Sequence, residues 1–556
     1  MSGAKILKRN SIRVTGVLLL AAAAVGAVLT AGPVQAEQPA AAAAVTRTAP
    51  LVPLVELVSA SGVGRLYSAD PREVASATAA GLKRQPGQIG FLSREASPGD
   101  VPLFRLKPSP TADKWLFTAS TQERDALVQQ NWVYEGVAGY IATTSAPGLV
   151  ELRRFTNGRE WRLALESKTA ELLAEGYQLD GPAGYVREKY VRAGAVYFGM
   201  FHAGGHQRII DRTKEIYGRD NDWWGGVRDF HDGTPYATDN WPDSDFSDLK
   251  PAIGYYDDSQ RETLEKHITQ ATSAGLSFFN FYWYWDSTTQ TGKVTDAALT
   301  AFLAARNKDS IDFAVGLCAH PFDGLTIPTE QYGKVADVLT TTYLAQPNTL
   351  RTNDGRKILN ICDARGLGDG STAQIKSFVD TVRQTAEAKL GEDVYVMINH
   401  GGFDPKQVPA AGADAAYCTT DGPAVESRSY DTYLNGQRAF YAQAPGAYGR
   451  CVLSDFDERP RYPIEVVDLP AIRWLPDQSV DKFRRAVKAA ADDMATSTRP
   501  STVDNLLYIY AWNEWHEGGV IEPSEHSGCD YLDALHDELA LTGPGCVSNP
   551  AGLPPS

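Results

Sequence analysis

Glu514 and Glu517 lie three residues apart in Trp512-Asn513-Glu514-Trp515-His516-Glu517, the first between two tryptophans and the second just past them. A run of strand formers, Leu506 to Trp512, leads straight into them. Carboxylates cost free energy when desolvated, so a pair set among indoles points to chemistry rather than stability. Paired carboxylates with separated pKa values run acid and base steps on a glycosidic bond. Tryptophan suits the same purpose, because the apolar C–H face of a sugar ring stacks on an indole. The competing reading is a strand end whose glutamates face water. Against it, Gly518-Gly519 and Ile521-Glu522-Pro523 continue an ordered, sharply turned segment.

The surrounding pattern says what must hold these groups. Between about 191 and 545, apolar runs alternate with helical ones. Eight strand candidates stand out: Ala195–Phe201, Ser277–Tyr284, Asp312–Leu317, Lys357–Cys362, Val394–Ile398, Ala413–Cys418, Arg450–Leu453 and Asn505–Trp512. Helical runs intervene, among them Asp258–Ala274, Thr295–Arg306, Ser371–Leu390 and Ser479–Ala495. Continuously apolar strands alternating with helices indicate a parallel sheet covered on both faces. Eight units predict an α/β fold of the (β/α)8 TIM-barrel type. An open doubly wound sheet is the alternative. No Gly-x-Gly-x-x-Gly follows the first strand, which also argues against a dinucleotide cofactor.

In such a barrel the functional groups stand at the C-terminal strand ends. Read in turn, those ends offer His202; Tyr282, Trp283, Tyr284 and Trp285; His320; Asp363; Asn399 and His400; Asp421; Asp455 and Asp457; and finally Trp512, Glu514 and Glu517. Asn513, Trp515, His516 and Glu522 complete the candidate sugar-binding set. Some have plainer readings. Four consecutive aromatics cannot all face one side of a strand, and Asp455 and Asp457 also suit turn caps. His202 and His206 have i, i+4 spacing, but Gly204-Gly205 between them reads as loop, so no metal or other cofactor is expected. The long polar stretch 203–251, rich in Trp and Gly, reads as a wall of the cleft.

The remaining sequence has its own organisation. Residues 1–36 read as a secretory signal, with an uncleaved anchor as the alternative: Lys5, Lys8, Arg9 and Arg13, then apolar Val14 to Leu29, then Val34-Gln35-Ala36. Residues 37–50 read as an Ala-rich linker and 546–556 as a tail. Losing the four positive charges of the leader from a chain of net charge −15 gives −19. That balance provides no footprint for nucleic acid. No other stretch approaches membrane length, so a soluble, exported, extracellular product is expected. The six cysteines allow 15 pairings. Cys529–Cys546 is the most local bridge, whereas Cys318, Cys362 and Cys418 end apolar runs and read as buried thiols.

Residues 51–190 carry a repeat of about 45 residues, with Glu135-Gly136-Val137-Ala138-Gly139-Tyr140-Ile141 matching Asp180-Gly181-Pro182-Ala183-Gly184-Tyr185-Val186. Helix-like runs Asp70–Lys83, Gln122–Gln130 and Ser167–Glu175 accompany three copies. The expected product is a small β-rich pseudo-threefold, trefoil-like domain. The middle copy, Leu103-Phe104-Arg105, Leu116-Phe117-Thr118, Glu123-Arg124-Asp125 and Glu135–Tyr140, resembles lectin-like modules appended to secreted bacterial hydrolases. That resemblance implies glycan or cell-wall binding; a packing-only module is the alternative.

Residues 191–535 resemble the family 99 glycoside hydrolases and their barrel relatives. The resemblance rests on Tyr510-Ala511-Trp512-Asn513-Glu514-Trp515-His516-Glu517-Gly518, with Ile521-Glu522-Pro523, Gly254-Tyr255-Tyr256-Asp257 and Phe281-Tyr282-Trp283-Tyr284-Trp285. It implies retaining cleavage of internal α-mannosidic bonds in a polysaccharide. Carried over, Glu514 is the base on the sugar's 2-hydroxyl and Glu517 the general acid/base. The family's Thr-Gln-Ile-Glu is here Gly519-Val520-Ile521-Glu522, which leaves the sugar open. Barrel relatives labelled transferases carry Ala at the histidine; His516 falls on the hydrolase side. Strand alternation places Tyr508, Tyr510, Trp512 and Glu514 on one face.

Overall fold

The computed structural model describes residues 51–553 apart from 86–88, 97–98, 147–148, 189, 206, 294, 322–323, 402, 419–428, 444–446, 462–471, 497–500 and 504. The expected leader and linker, His206 and Asp421 lie outside the described residues.

Eight parallel strands close into a barrel: β1 (Arg192–Tyr197), β2 (Phe278–Trp283), β3 (Asp312–Cys318), β4 (Lys357–Asp363), β5 (Val394–Asn399), β6 (Ala415–Tyr417), β7 (Tyr448–Leu453) and β8 (Leu506–Tyr510). Closure is made by β8 pairing β1, with Ala195 beside Ile509. β1, β4, β5, β7 and β8 are buried at every position, the result of helices outside and a filled interior. Gly194 is required where β1 meets β2, because a Cβ there would sit 2.4 Å from the Phe278 ring. The interior also holds polar side chains that hydrogen-bond one another. The Asn360 amide donates to Asn280 Oδ1 (2.9 Å) and to the Tyr508 hydroxyl (3.2 Å).

The strands match the sequence reading in number and order. The first begins earlier, at Arg192, and stops at Tyr197, because its partners β2 and β8 run beside only that part. Outer helices Arg261–Ser273, Asp296–Ala304, Thr372–Leu390 and Val480–Thr496 fall where periodicity placed them. The long β1 loop is itself partly helical, over Gln207–Tyr217, Gly225–His231 and Pro235–Asn240.

Residues 51–187 form a separate β-rich region of an eight-stranded antiparallel sheet and a three-stranded one, with helices Pro71–Ala79, Thr121–Gln129 and Thr169–Ala174. Its repeats share one device, an arginine held between two acids. Arg65 pairs Glu56 and Glu160, Arg105 pairs Glu73 and Glu135, and Arg154 pairs Glu123 and Asp180. This region contacts the barrel at the N-terminal ends of the strands. Arg94 Nη1 donates to the Asn353 carbonyl ahead of β4 (3.0 Å), and Phe91 packs on Tyr190 ahead of β1. It lies opposite the barrel mouth.

All six cysteines are paired: Cys318–Cys362, Cys418–Cys451 and Cys529–Cys546. The local C-terminal bridge is as expected. The reading of Cys318, Cys362 and Cys418 as thiols is corrected: barrel closure puts the ends of β3 and β4 side by side, and likewise β6 and β7. The described part of the expected tail is fastened too, with Gln270 Nε2 donating to the Ser548 carbonyl at 2.7 Å.

Candidate active site

β8 carries Tyr508 and Tyr510 into the barrel interior. Tyr510 lies 4% exposed, and its hydroxyl donates to Glu517 Oε2 at 2.6 Å. The strand ends there, and so does its alternation. Trp512 turns outward and is fully buried against Phe279 (5.2 Å) and His267 (5.8 Å) of helix Arg261–Ser273. The expectation that Trp512 shares the face of Tyr510 and offers a sugar platform is therefore corrected. Period-two geometry holds only while the backbone stays in the ladder.

Glu514 is 3% exposed, and its Oε1 has no hydrogen-bond partner among the described residues. Burial pushes its carboxyl up to about 8, opposed by the positive charge of Arg461. Glu517 sits in a short 3-10 turn, Trp515–Glu517, that ends at Gly518 with φ +65°. A side chain at Gly518 would also meet Asp457, at 2.9 Å from its Cβ. That close approach lets the Asp457 amide donate to the Glu517 carbonyl at 2.5 Å, which fixes the turn. Both carboxylate oxygens of Glu517 accept hydrogen bonds, one from Tyr510 and one from Arg461.

The β2 run divides by alternation. Trp283 and Trp285 point outward and are fully buried, their indole N–H groups donating to Asp296 (2.8 Å) and Gln331 (2.7 Å). They are framework, not platforms. Tyr282 and Tyr284 take the other face. Burial, then Tyr282, Glu514 and other neighbouring charges push the Tyr284 phenol up, while Arg461 opposes. The same groups act on Tyr510, so Tyr282, Tyr284, Tyr510, Glu514 and Arg461 form one electrostatic neighbourhood.

Two histidine–aspartate pairs flank it. His202 Nδ1 lies 2.7 Å from Asp258, which is fully buried and also accepts from the Phe201 amide at 3.0 Å. Phe201 in turn stacks on His516, ring centroids 5.2 Å apart. His320 Nδ1 lies 2.5 Å from Asp363, with Tyr284 beside its ring. Burial alone would raise Asp363, but hydrogen bonds from His320 and Arg365 outweigh it and the carboxyl lies below its ordinary value.

The structure gives other candidates packing duties. Glu522 accepts from the Tyr256 hydroxyl and the Trp515 indole, both at 2.9 Å, with His267 Nε2 at 3.0 Å. Asn513 brackets the Phe198 backbone, accepting from its N–H (2.8 Å) and donating to its carbonyl (3.1 Å). Asn399 donates to the Cys362 carbonyl, and His400 stacks on Phe440 of the outer helix Tyr430–Gln443. Asp457 is held by Arg459 through both oxygens. Burial and the adjacent Asp457 push Asp455 well up.

Sequence reasoning missed Tyr510, Arg461 and Asp258 as parts of the site. Tyr510 was legible as an alternation partner of Tyr508. Arg461 lies eight residues past β7 and carries no motif. Asp258 follows the quoted Gly254-Tyr255-Tyr256-Asp257 segment. Among the described residues no group of three or more His, Cys, Asp or Glu is placed to hold a metal.

Residues 334–535 match the family model described as "Glycosyltransferase WbsX", and residues 53–187 match a domain of unknown function, DUF5648. No curated protein matches. Similar solved structures include the GH99 endo-alpha-mannosidase from Bacteroides thetaiotaomicron in complex with bis-tris propane, at 15% identity and TM-score 0.42, covering 63% of this chain and 97% of that one. A "glycoside hydrolase-like protein" gives 15% and 0.42, with 63% and 94% covered. Rutinosidase from Aspergillus niger gives 12% and 0.33, with 63% and 98% covered. The similarity to the WbsX family thus covers residues 334–535, which span the barrel from before β4 to past β8.

Proposed function

We propose that this chain is a secreted, retaining glycoside hydrolase that acts within an α-mannan-like polysaccharide. One observation carries the reading. Two glutamates leave the same strand end at the barrel mouth, Glu514 buried with one oxygen unpartnered among the described residues and Glu517 held by Tyr510 and Arg461. Glu514 takes the proton of the sugar's 2-hydroxyl as that oxygen bonds to the anomeric carbon. Glu517 gives its proton to the departing glycosidic oxygen as the old bond breaks. Water, deprotonated by Glu517, then opens the ring so formed, and Glu514 returns its proton to the 2-oxygen. Two displacements at one carbon retain configuration. Both carboxylates stand on one side of the cleft, which suits a neighbouring-group attack better than a direct nucleophile. Export follows from the amino-terminal sequence, and the β-rich region, seated away from the mouth, is free to hold glycan without entering the chemistry.

The description of the matched family favours a second reading, a barrel that transfers sugars during glycan assembly. Incubating the full chain with a panel of polysaccharides, with product sizing and anomeric analysis, separates the two. Short retained-anomer oligosaccharides support hydrolysis. Extended products formed only with an activated donor refute it. Mass spectrometry showing a covalent sugar on Glu514 would overturn the neighbouring-group step.

A further inference from the structure

Glu514 stands on a two-residue strand, Asn513–Glu514, paired antiparallel with Gly519–Val520. So short a ladder is a weak hold for a carboxylate whose placement decides the chemistry. The residues on either side of it, Asn513 and Trp515, are buried and anchored elsewhere. Trp515 packs with Phe198, Phe201, Trp224 and Tyr256. Asn513 brackets the Phe198 backbone.

Both anchors converge on one oxygen. The Trp515 indole and the Tyr256 hydroxyl each donate to Glu522 Oε2 at 2.9 Å. The same hydroxyl accepts from the Asn513 amide at 3.3 Å. Glu522 therefore reaches both neighbours of Glu514, one directly and one through a phenol. It is itself well fixed. Its N–H donates to the Trp512 carbonyl at 2.9 Å, and its other oxygen lies 3.0 Å from His267 Nε2. Tyr256 is held as well, because the Trp223 and Trp224 indoles donate to its carbonyl at 3.1 and 2.8 Å. A side chain so enclosed does not meet a sugar. A buried acid is also a poor choice for packing alone, since an apolar residue of similar volume often serves stability as well or better.

We propose that Glu522 is a positioning residue: through Trp515, and through Tyr256 and Asn513, its Oε2 sets where Glu514 stands. Without that acceptor, an indole N–H and a phenol O–H are left unpaired in a dry layer, a costly state. They turn to find water, and Glu514, between the residues they hold, moves with them. The catalytic consequence rests on the reading of Glu514 as the base at the 2-hydroxyl. The placement rests on the hydrogen bonds alone.

Four changes to the full-length chain test it. E522L removes the acceptor, and W515F and Y256F each remove one donor while keeping the ring. E522Q offers an amide oxygen that can accept both bonds. The first readout is urea unfolding at pH 5 and pH 8, with and without E514Q added to each variant. Each comparison holds its background fixed, so general loss of stability cancels. In the parent the advantage of E514Q should grow at pH 8, where a buried carboxyl is costly to ionise. That growth should fall by at least half in E522L and in W515F/Y256F, where Glu514 gains water, and E522Q should restore most of it. The second readout is steady-state kinetics on the polysaccharide cleaved by the parent. W515F and Y256F should each lower kcat by about tenfold, the scale of a hydrogen bond to a charged group, with KM within about twofold. W515F added to E522L should cost nothing further, because its acceptor is already gone. Undiminished growth in W515F/Y256F overturns the inference even where E522L does not fold, and so does an E522Q no better than a folded E522L. If the parent cleaves nothing, the hydrolase reading falls and the unfolding comparison still decides the placement. If kcat holds while the unfolding comparison shifts, the catalytic consequence falls alone.

Discussion

Replacing Glu514 with glutamine should stabilise this protein, and only at neutral and alkaline pH. The carboxyl is buried with one oxygen unpartnered among the described residues, and burial raises it from an ordinary 4.5 to about 8. The folded state thus keeps a proton that the unfolded state loses, so stability falls as pH rises between those values. Each pH unit in that window costs about 1.4 kcal/mol, so the charge-related cost reaches about 3 kcal/mol by pH 7 and levels off near 5 above pH 8. Below about pH 4.5 both states are protonated and the cost vanishes. Glutamine has the same shape and never ionises. In urea unfolding at pH 5 and pH 8, the advantage of E514Q over the parent should grow by several kcal/mol at the higher pH. An advantage equal at both pH values would refute the claim that Glu514 is buried and raised. The same displacement bears on its role. If Glu514 is a base, kcat/KM of the parent should climb with pH to a limit near 8, because the free enzyme must first lose that proton. A limb that falls through 8 instead would make Glu514 the acid.

Other outcomes follow from the same geometry. E517Q should fold and lose about two to four powers of ten in kcat, on the scale of a removed general acid–base group, with recovery of the first step on an aryl glycoside of good leaving ability; near-parent turnover on polymer would contradict its role. Y510F should keep the fold and reduce kcat/KM by roughly tenfold, the worth of one hydrogen bond to a charged group, read from steady-state kinetics. Replacing Cys318 and Cys362 together with serine should lower the unfolding free energy by about 4 kcal/mol in the chain-entropy picture, since the bridge closes a loop of sequence separation 44. It should also loosen the adjacent His320–Asp363 pair, visible as a larger KM than kcat effect.

What the sequence determined by itself is the set of features written in local pattern. Runs such as Ile358-Leu359-Asn360-Ile361-Cys362 are buried on both faces, and that alone marks central parallel strands. Eight of them with helices between leave few ways to cover every face. Glu514 and Glu517 were legible because a carboxylate pair at the end of an apolar strand has few structural uses. What only the tertiary structure decided is which way side chains point and what meets across the barrel. Trp283 and Trp285 share a run with Tyr282 and Tyr284, yet the pleat sends the indoles outward and the phenols to the mouth. Trp512 lies past the end of β8, where alternation no longer applies. Cys318 and Cys362 are neighbours only because β3 and β4 pair. Arg461 reaches Glu517 across 56 positions of chain, a contact that no spacing rule contains, because the pairing of β7 with β8 brings their loops together.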